Sequence, residues 1–592
     1  MFVNDATSDD KFKTSSPDAH FDVDAPKINP LVASALASVT RADTGVSVAW
    51  EDEGPGEPGN AEDVFEMAAG RARKESFRFP RSARAHANLG IALAKLGKID
   101  DAIDELQEAL SIDPNHLVAG LTVGRILVER GQTDEAKAVY QQLDERFPGN
   151  ESILLSLAYI ALRERQLDVA EEYLEESLKA NKKLPYSHFL LGITRLQRGN
   201  VPGAIAALRE STRLDVRTGA LHHALGVAYA IAGDNARAER SFRVALSLNP
   251  EAVGSVIGLC EVMLAQNKAE DVVDLLKPQI EIRDLPETRE LLARAYTALN
   301  KHANARSQLV HVLTHAGERL SGREQARLLN NIAVNLLSEN NSRAAETELL
   351  RALAIGAADA EFVYENLGRL YIGAERFDDA ISVLKRGCEA YPDHQKIRVL
   401  LSSAYARTDQ FEAAIDELQP FWQAGQAEAD TYSMLGWLFE WIDRPRKALM
   451  VMLEAYQRFP QDRSVINNLA YTHLMQGQVA EARAVLDSLP KGIEPHVEMV
   501  ATRGLLHLAS GDEAGGIGLY EKAERMARES GKKDQAKQVR QKLHLELARV
   551  ALRKGDFSKA RGEIRRGLSR SPKVYPYDRQ LQHLLAELPS VK

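Results

Sequence analysis

Residues 85–115 read AHANLGIALAKLGKIDDAIDELQEALSIDPN, and this stretch decides the fold. Leu89, Gly90 and Leu93 fall together on a first helix, and Ala102, Leu106 and Ala109 on a second. Apolar residues at three- and four-residue spacing are what an amphipathic helix requires. Small residues stand where two helix backbones must approach closely. Pro114 follows the second helix because proline cannot continue one.

The same pattern returns every 34 residues: Gly90, Gly124, Ala158, Gly192 and Gly226 mark the beat, and Ala102, Ala136, Ala170, Ala204 and Ala238 echo it. After a break it resumes at Gly368, Ser402, Gly436, Ala470 and Gly504, echoed by Ala380, Ala414, Ala448 and Ala482. A fixed period of this length marks a helical repeat array, which grows by stacking units that touch only their neighbours.

Two units carry the fullest pattern: Leu225-Gly226, Tyr229, Ala238, Phe242, Ala245 and Pro250, then Leu367-Gly368, Tyr371, Ala380, Leu384 and Pro392. In these residues the chain resembles the tetratricopeptide repeat. The resemblance implies an all-α, right-handed α-solenoid superhelix of about thirteen to fourteen helix-turn-helix units. Unit starts fall at 83, 117, 151, 185, 219, 253, 286, 326, 361, 395, 429, 463, 497 and 541.

The organisation read from this phase is as follows. Residues 1–60 are an acidic tail, with the Gly/Pro/acid cluster EDEGPGEPGN at 51–60 and too few large apolar residues to offset chain entropy; they are expected to be disordered. A short apolar patch at 28–36 is read as a sticky piece of that tail. Residues 61–82 are a half repeat or N-terminal cap, and 83–285 a first block of units one to six. Units seven and eight, 286–360, fall out of phase around the insertion GERLSGREQ at 317–325, and a hinge is expected near 315–325. A second block, units nine to thirteen, spans 361–530, and 531–592 form a basic last unit with a capping helix. The phase slip in ARESGKKDQAK, 527–537, suggests a longer loop or a changed path.

Composition bounds the function classes. Of 592 residues, 44% are hydrophobic and 27% charged, ordinary for a soluble protein. Two cysteines, Cys260 and Cys388, exclude a disulfide framework or zinc ribbon and read as buried thiols. The start MFVNDATSDDKFKTSSPDAHFDVD is polar and acidic, unlike a secretory signal, and no run approaches the roughly 20 apolar residues of a membrane span. A cytoplasmic location is the expectation. The net charge of −9 hides an asymmetry: residues 1–60 carry −7 and residues 521–592 carry +10.

No catalytic motif, cofactor loop or metal-ligand spacing stands out. There is no GxxxxGK[ST], no HExxH and no paired CxxC. His222 and His223 are adjacent, so on a helix they diverge by about 100° and cannot readily share a metal. The expectation is a non-enzyme without catalytic residues, cofactor or metal.

In tetratricopeptide arrays the first helix of each unit lines the concave groove, mainly through unit positions 2, 5, 6, 9, 12 and 13. The resemblance therefore implies an apolar trough in units two to four, from Leu121, Leu155, Tyr159, Tyr186, Phe189, Leu190 and Ile193. Such a trough suits an amphipathic helix or extended peptide, unless these side chains pack against the neighbouring unit. In units eleven and twelve the same positions present Trp437, Trp441 and Tyr471, with Arg369 and Arg407 from the two units before. Trp, Tyr and Arg dominate interface hot spots. A core tryptophan pair is the alternative, but Leu435, Gly436 and Phe439 already fill the inward positions.

Asparagines at unit position 6, Asn88, Asn331, Asn366 and Asn468, are similar to the ladder that clasps a peptide backbone in the repeat arm of O-GlcNAc transferases. An amide can both donate to and accept from main chain. Leu400 and Met434 break the ladder. The carboxylate clamp of chaperone-binding relatives is rejected, because Asn330, Val334 and Leu400 stand where its Lys, Asn and Arg belong.

The function expected is a non-catalytic scaffold or adaptor binding peptide segments or partner proteins in the concave groove. The alternative is a regulatory or substrate-recruiting subunit of a separately encoded enzyme. Nucleic-acid binding through the basic end, with Lys532-Lys533, Arg553-Lys554 and Arg565-Arg566, is a lesser reading because stacking aromatics are scarce there. A solvated helix face, or an acidic partner such as the chain's own tail, accounts for those charges better.

Overall fold

The computed structural model describes residues 61–214, 218–356, 360–489, 494–569 and 577–588. The acidic segment 1–60, including the patch at 28–36, lies outside the described residues. Among the described residues there are thirty α-helices and no strand. They pair into fourteen consecutive hairpins, from Ala83–Lys95 with Ile99–Ile112 to Lys533–Arg553 with Phe557–Ser569. Single helices, Ala61–Arg78 and Tyr577–Glu587, flank them. The all-α repeat array read from the sequence is therefore the fold. Among the described residues no helix is long and apolar enough to cross a membrane.

Each hairpin turns on one residue in the left-handed region. Gly97 (φ 72°) is the first, and Gly131, Arg165, Gly199, Gly233 and Asn267 follow at the repeat spacing. At the first turn Gly97 N–H donates to Ala94 O at 3.1 Å and Lys98 N–H to Leu93 O at 3.0 Å. These bonds satisfy carbonyls that the ending helix leaves open.

The beat of small residues also has a steric cause. Phe242 is fully buried, with Gly226 on one side and Gly258 on the other. A methyl group added at Gly226 would lie 2.7 Å from the ring, and one at Gly258 2.5 Å from it. The same relation, across sixteen residues of sequence, faces Gly192 with Leu208, Gly368 with Leu384 and Gly504 with Tyr520. The echoing alanines, Ala102 to Ala238 and Ala380 to Ala482, are fully buried on the second helices.

The chain divides into two compact units between Leu291 and Leu292. In the first, a core built from residues such as Leu106, Ile126, Tyr140 and Ile153 runs continuously through successive hairpins. His223 is buried there, its Nδ1 3.0 Å from Ser255 Oγ, whereas His222 is only half-buried. Burial pushes the His223 imidazole down to about 4.

The second unit absorbs both phase slips. The insertion at 317–325, inside this unit, becomes a 3-10 turn, Gly317–Arg319, and a reciprocal Ser321–Glu324 capping box that opens the 17-residue helix Gly322–Ser338. Gln325 Nε2 ties the turn down, donating to Gly317 O at 2.9 Å and Leu320 O at 3.1 Å. Of the two outcomes expected at 527–537, a longer loop or a changed path, the second slip does not form the loop. Instead Glu513–Glu529 extends to 17 residues and Lys533–Arg553 to 21, with the chain turning at Gly531. Most residues in this segment are good helix formers, so the extra chain lengthens helices. The last unit thus begins at Lys533 rather than 541.

Candidate functional site

The strongest concentration of unsatisfied chemistry lies on three successive first helices of the second unit: Gln395–Arg407, Ala429–Trp441 and Arg463–Met475. Ser403, Trp437 and Tyr471 stand one repeat apart on them. Ser433, Trp437 and Glu440 are spaced four and three residues apart, so they form one stripe along the middle helix. Asn467 and Tyr471 repeat the first two members of that stripe on the next helix.

Several side-chain oxygens here are buried without a hydrogen-bond partner among the described residues: Ser403 Oγ, Ser433 Oγ, Glu440 Oε1, Asn467 Oδ1 and Thr472 Oγ1. Ser433 is 6% exposed and Asn467 2%. Leaving a buried donor or acceptor unpaired costs about 1–3 kcal/mol, so a row of them is a standing demand for a partner.

The aromatic members are less open than their repeat positions suggested. Trp437 is 5% exposed and Tyr471 is buried, while Trp441 is half-buried. The Trp441 ring lies 5.5 Å from Trp437 and 5.7 Å from Phe411. Lys542 Nζ lies 4.3 Å from the centre of the Tyr471 ring. The Lys533–Arg553 helix therefore brings its charges to this face.

A buried charge network results. Arg549 donates to Glu546 Oε1 at 2.8 Å, Gln535 donates to Glu498, and Lys542 lies within electrostatic reach of both carboxylates. Burial holds the Lys542 ammonium down at about 8 despite Glu546 and Glu498. Burial likewise pushes the Glu440 carboxyl up to about 7, although Thr472, Lys542 and Arg549 favour its charged form. Tyr471, Tyr520 and Tyr577 are all raised, chiefly by burial and then by neighbouring charge.

The remaining sequence candidates fall as follows. Arg369 is exposed and paired with Glu365 at 3.1 Å, and Arg407 lies over the Phe377 ring at 5.0 Å. Asn366 donates to Asn330 Oδ1 at 2.6 Å, and Asn468 accepts from Asn467 Nδ2 at 3.1 Å. Two of the ladder amides are thus tied to other asparagines. Asn331 is half-buried, and its carbonyl accepts from Asn335 Nδ2 at 2.9 Å. In the first unit Leu121, Leu155, Tyr159 and Tyr186 are half-buried, whereas Phe189, Leu190 and Ile193 belong to the core. The expected trough is correspondingly narrower there. At the basic end Lys559 pairs with Glu513 at 2.6 Å, Arg540 with Glu524 at 2.7 Å and Arg566 with Glu563 at 2.6 Å, so much of the cationic charge is locally balanced.

Sequence reasoning missed Glu440, Ser433, Asn467 and the Lys542–Glu546–Arg549 series. One signal was available: Glu440 is a lone acid in the otherwise apolar and aromatic run MLGWLFEW, 434–441. Nothing in the sequence indicated which face of Lys533–Arg553 meets Tyr471.

Sequence models of the tetratricopeptide repeat match residues 93–160, 127–188 and 371–438, residues 56–116 and 189–253, and residues 467–488. Among solved structures, the chain is similar to YrrB, a TPR protein with an unusual peptide-binding site; identity is 19% over 32% of this chain and 97% of that one, with a TM-score of 0.27. It is similar to the APC/C hetero-tetramer Cut9-Hcn1, with 12% identity over 95% of this chain and 100% of that one, and a TM-score of 0.33. A tetratricopeptide repeat protein from Parabacteroides merdae matches at 16% identity over 49% of this chain and 98% of that one, with a TM-score of 0.27.

Proposed function

We propose that this chain, which belongs to the tetratricopeptide repeat family, is a non-catalytic scaffold that holds peptide segments of partner proteins against the first helices of its second unit. Protein interaction is the general business of such repeat arrays; the face and the kind of ligand are our reading. One observation carries it: Ser403, Ser433 and Asn467 offer buried oxygens without a partner among the described residues, on adjacent helices beside the Trp437–Trp441 pair. Side-chain hydroxyls and amides can bind main chain whatever the peptide's side chains. Tryptophan beside them supplies the apolar area that anchors an interface.

The test uses the half-buried Trp441, since removing the buried Trp437 would also disturb packing. Proteins co-purifying with the full chain are quantified against Trp441→Ala and against Met450→Ala, whose side chain is exposed on the second helix of the same hairpin. Loss of the same partners in Trp441→Ala alone supports the assignment. Equal capture by all three proteins contradicts it.

A further inference from the structure

The helix Ala61–Arg78 ends 34 residues before Ile112, so it holds the place of a second helix, and among the described residues no first helix pairs with it. One side of it, through Ala69, Ala72 and Ser76, is buried toward the hairpin that follows. The adjoining side carries Met67, Gly70, Lys74 and Phe77 at spacings of three, four and three residues, the seam on which one helix receives another. Met67 is 58% exposed and Phe77 90%. A methyl group added at Gly70 would meet nothing within 4 Å, so a second backbone can come close at the middle of the seam. Arg71, Lys74 and Arg78 are exposed along it.

The chain ahead of this helix has a segment that fits the seam. Residues 28–41 read INPLVASALASVTR, with Asn29 and Pro30 as a helix start and Val32, Ala35, Leu36 and Val39 at three- and four-residue spacing. Residues 42–60, which join it to Ala61, carry Asp43, Glu51, Asp52, Glu53 and Glu57 and no base, the complement of Arg71, Lys74 and Arg78. A joining chain of that length spans about 24 Å without being stretched, against roughly 27 Å for the 18-residue helix. We propose that residues 30–41 dock as a helix on the Met67–Gly70–Phe77 seam and complete a hairpin ahead of Ala83. Val32 and Leu36 cover Met67 and Phe77, and the acidic joining residues lie along the basic edge. Docking within one chain proceeds at an effective concentration in the millimolar range, so a modest apolar contact is enough to hold it. The contact gives the array the covered end that a terminal repeat requires. It is independent of the peptide-binding face proposed above.

The test is hydrogen exchange read by mass spectrometry on the full chain, in wild type, in Phe77→Ser and in Val32→Ser with Leu36→Ser. Phe77 is exposed enough that its replacement leaves the packed hairpins intact. Amides of residues 31–41 should exchange roughly tenfold slower in wild type than in Phe77→Ser, as for a segment that is open about a tenth of the time. The double substitution in the segment should reciprocally speed exchange in residues 65–78. Equal exchange of 31–41 in wild type and Phe77→Ser, fast or slow, overturns the proposal. Protection that vanishes on dilution, with a dimer mass by light scattering, assigns the seam to a second copy and overturns it as well.

Discussion

Lys542 Nζ stands 4.3 Å from the centre of the Tyr471 ring, so a cation of the Lys533–Arg553 helix caps an aromatic that its repeat position would leave facing the groove. Glu546, 2% exposed, balances that cation and receives a hydrogen bond from Arg549. Removing one member of a buried ion cluster leaves the others uncompensated, at a cost of about 3–5 kcal/mol. Glu546→Gln should therefore destabilise the second unit by about that amount, read from urea unfolding followed by tryptophan fluorescence. Lys542→Met with Glu546→Leu should cost less than Glu546→Gln alone. A single substitution within about 0.5 kcal/mol of wild type would place these charges in solvent.

Glu440 gives a pH signature. Its folded pKa, about 7, is raised above the ordinary 4.5. Among the described residues, the groups facing it are Lys542 and Arg549 of the Lys533–Arg553 helix and Tyr471 and Thr472 of the neighbouring helix. A raised carboxyl stabilises the fold fully below the unfolded pKa and loses that contribution as pH rises through the folded one. Glu440→Gln should match wild type near pH 4.5 and exceed it above pH 7 by about 1–3 kcal/mol. Parallel stability curves across that range would contradict the buried assignment.

Phe242 has no room to retreat, because Gly226 and Gly258 flank its ring. Gly258→Ala places a methyl 2.5 Å from Phe242 Cζ and should cost about 1–3 kcal/mol by overpacking. Combining it with Phe242→Leu should cost less than the sum of the two single changes, a coupling that a double-mutant cycle measures.

Arg165 occupies the left-handed turn position with φ 60°, where Gly97, Gly131, Gly199 and Gly233 stand in other units. Its side chain is exposed. Arg165→Gly should stabilise the first unit by about 0.5–1 kcal/mol, since only the backbone strain changes. A lower melting temperature would show that the arginine makes a contact worth more than that strain.

The fold was legible because its steric rule recurs in sequence: Gly226 faces Phe242 as Gly192 faces Leu208, Gly368 faces Leu384 and Gly504 faces Tyr520. Helix lengths were legible only where the period held. At 527–537 the phase slip was visible, but the period does not say whether extra chain becomes loop or helix; the helix-forming residues of the segment carried that signal. The candidate face was half legible. Periodicity placed Trp437 and Tyr471 together, yet it carried no information about Lys542, which arrives from a helix out of phase with theirs. Asn366 shows the same limit: its position suggested a free amide, and Asn330, one repeat position earlier in the preceding unit, takes it. Non-periodic partners decide which periodic side chains stay available.

The most direct test of the central claim is photo-crosslinking in the full chain. A benzophenone side chain replaces Trp441 in one protein and Met450 in another, on the first and second helices of one hairpin. We predict that a partner peptide is trapped from position 441 and not from position 450. Crosslinks from position 450 alone, or equal yields at both, would contradict the assignment of this face.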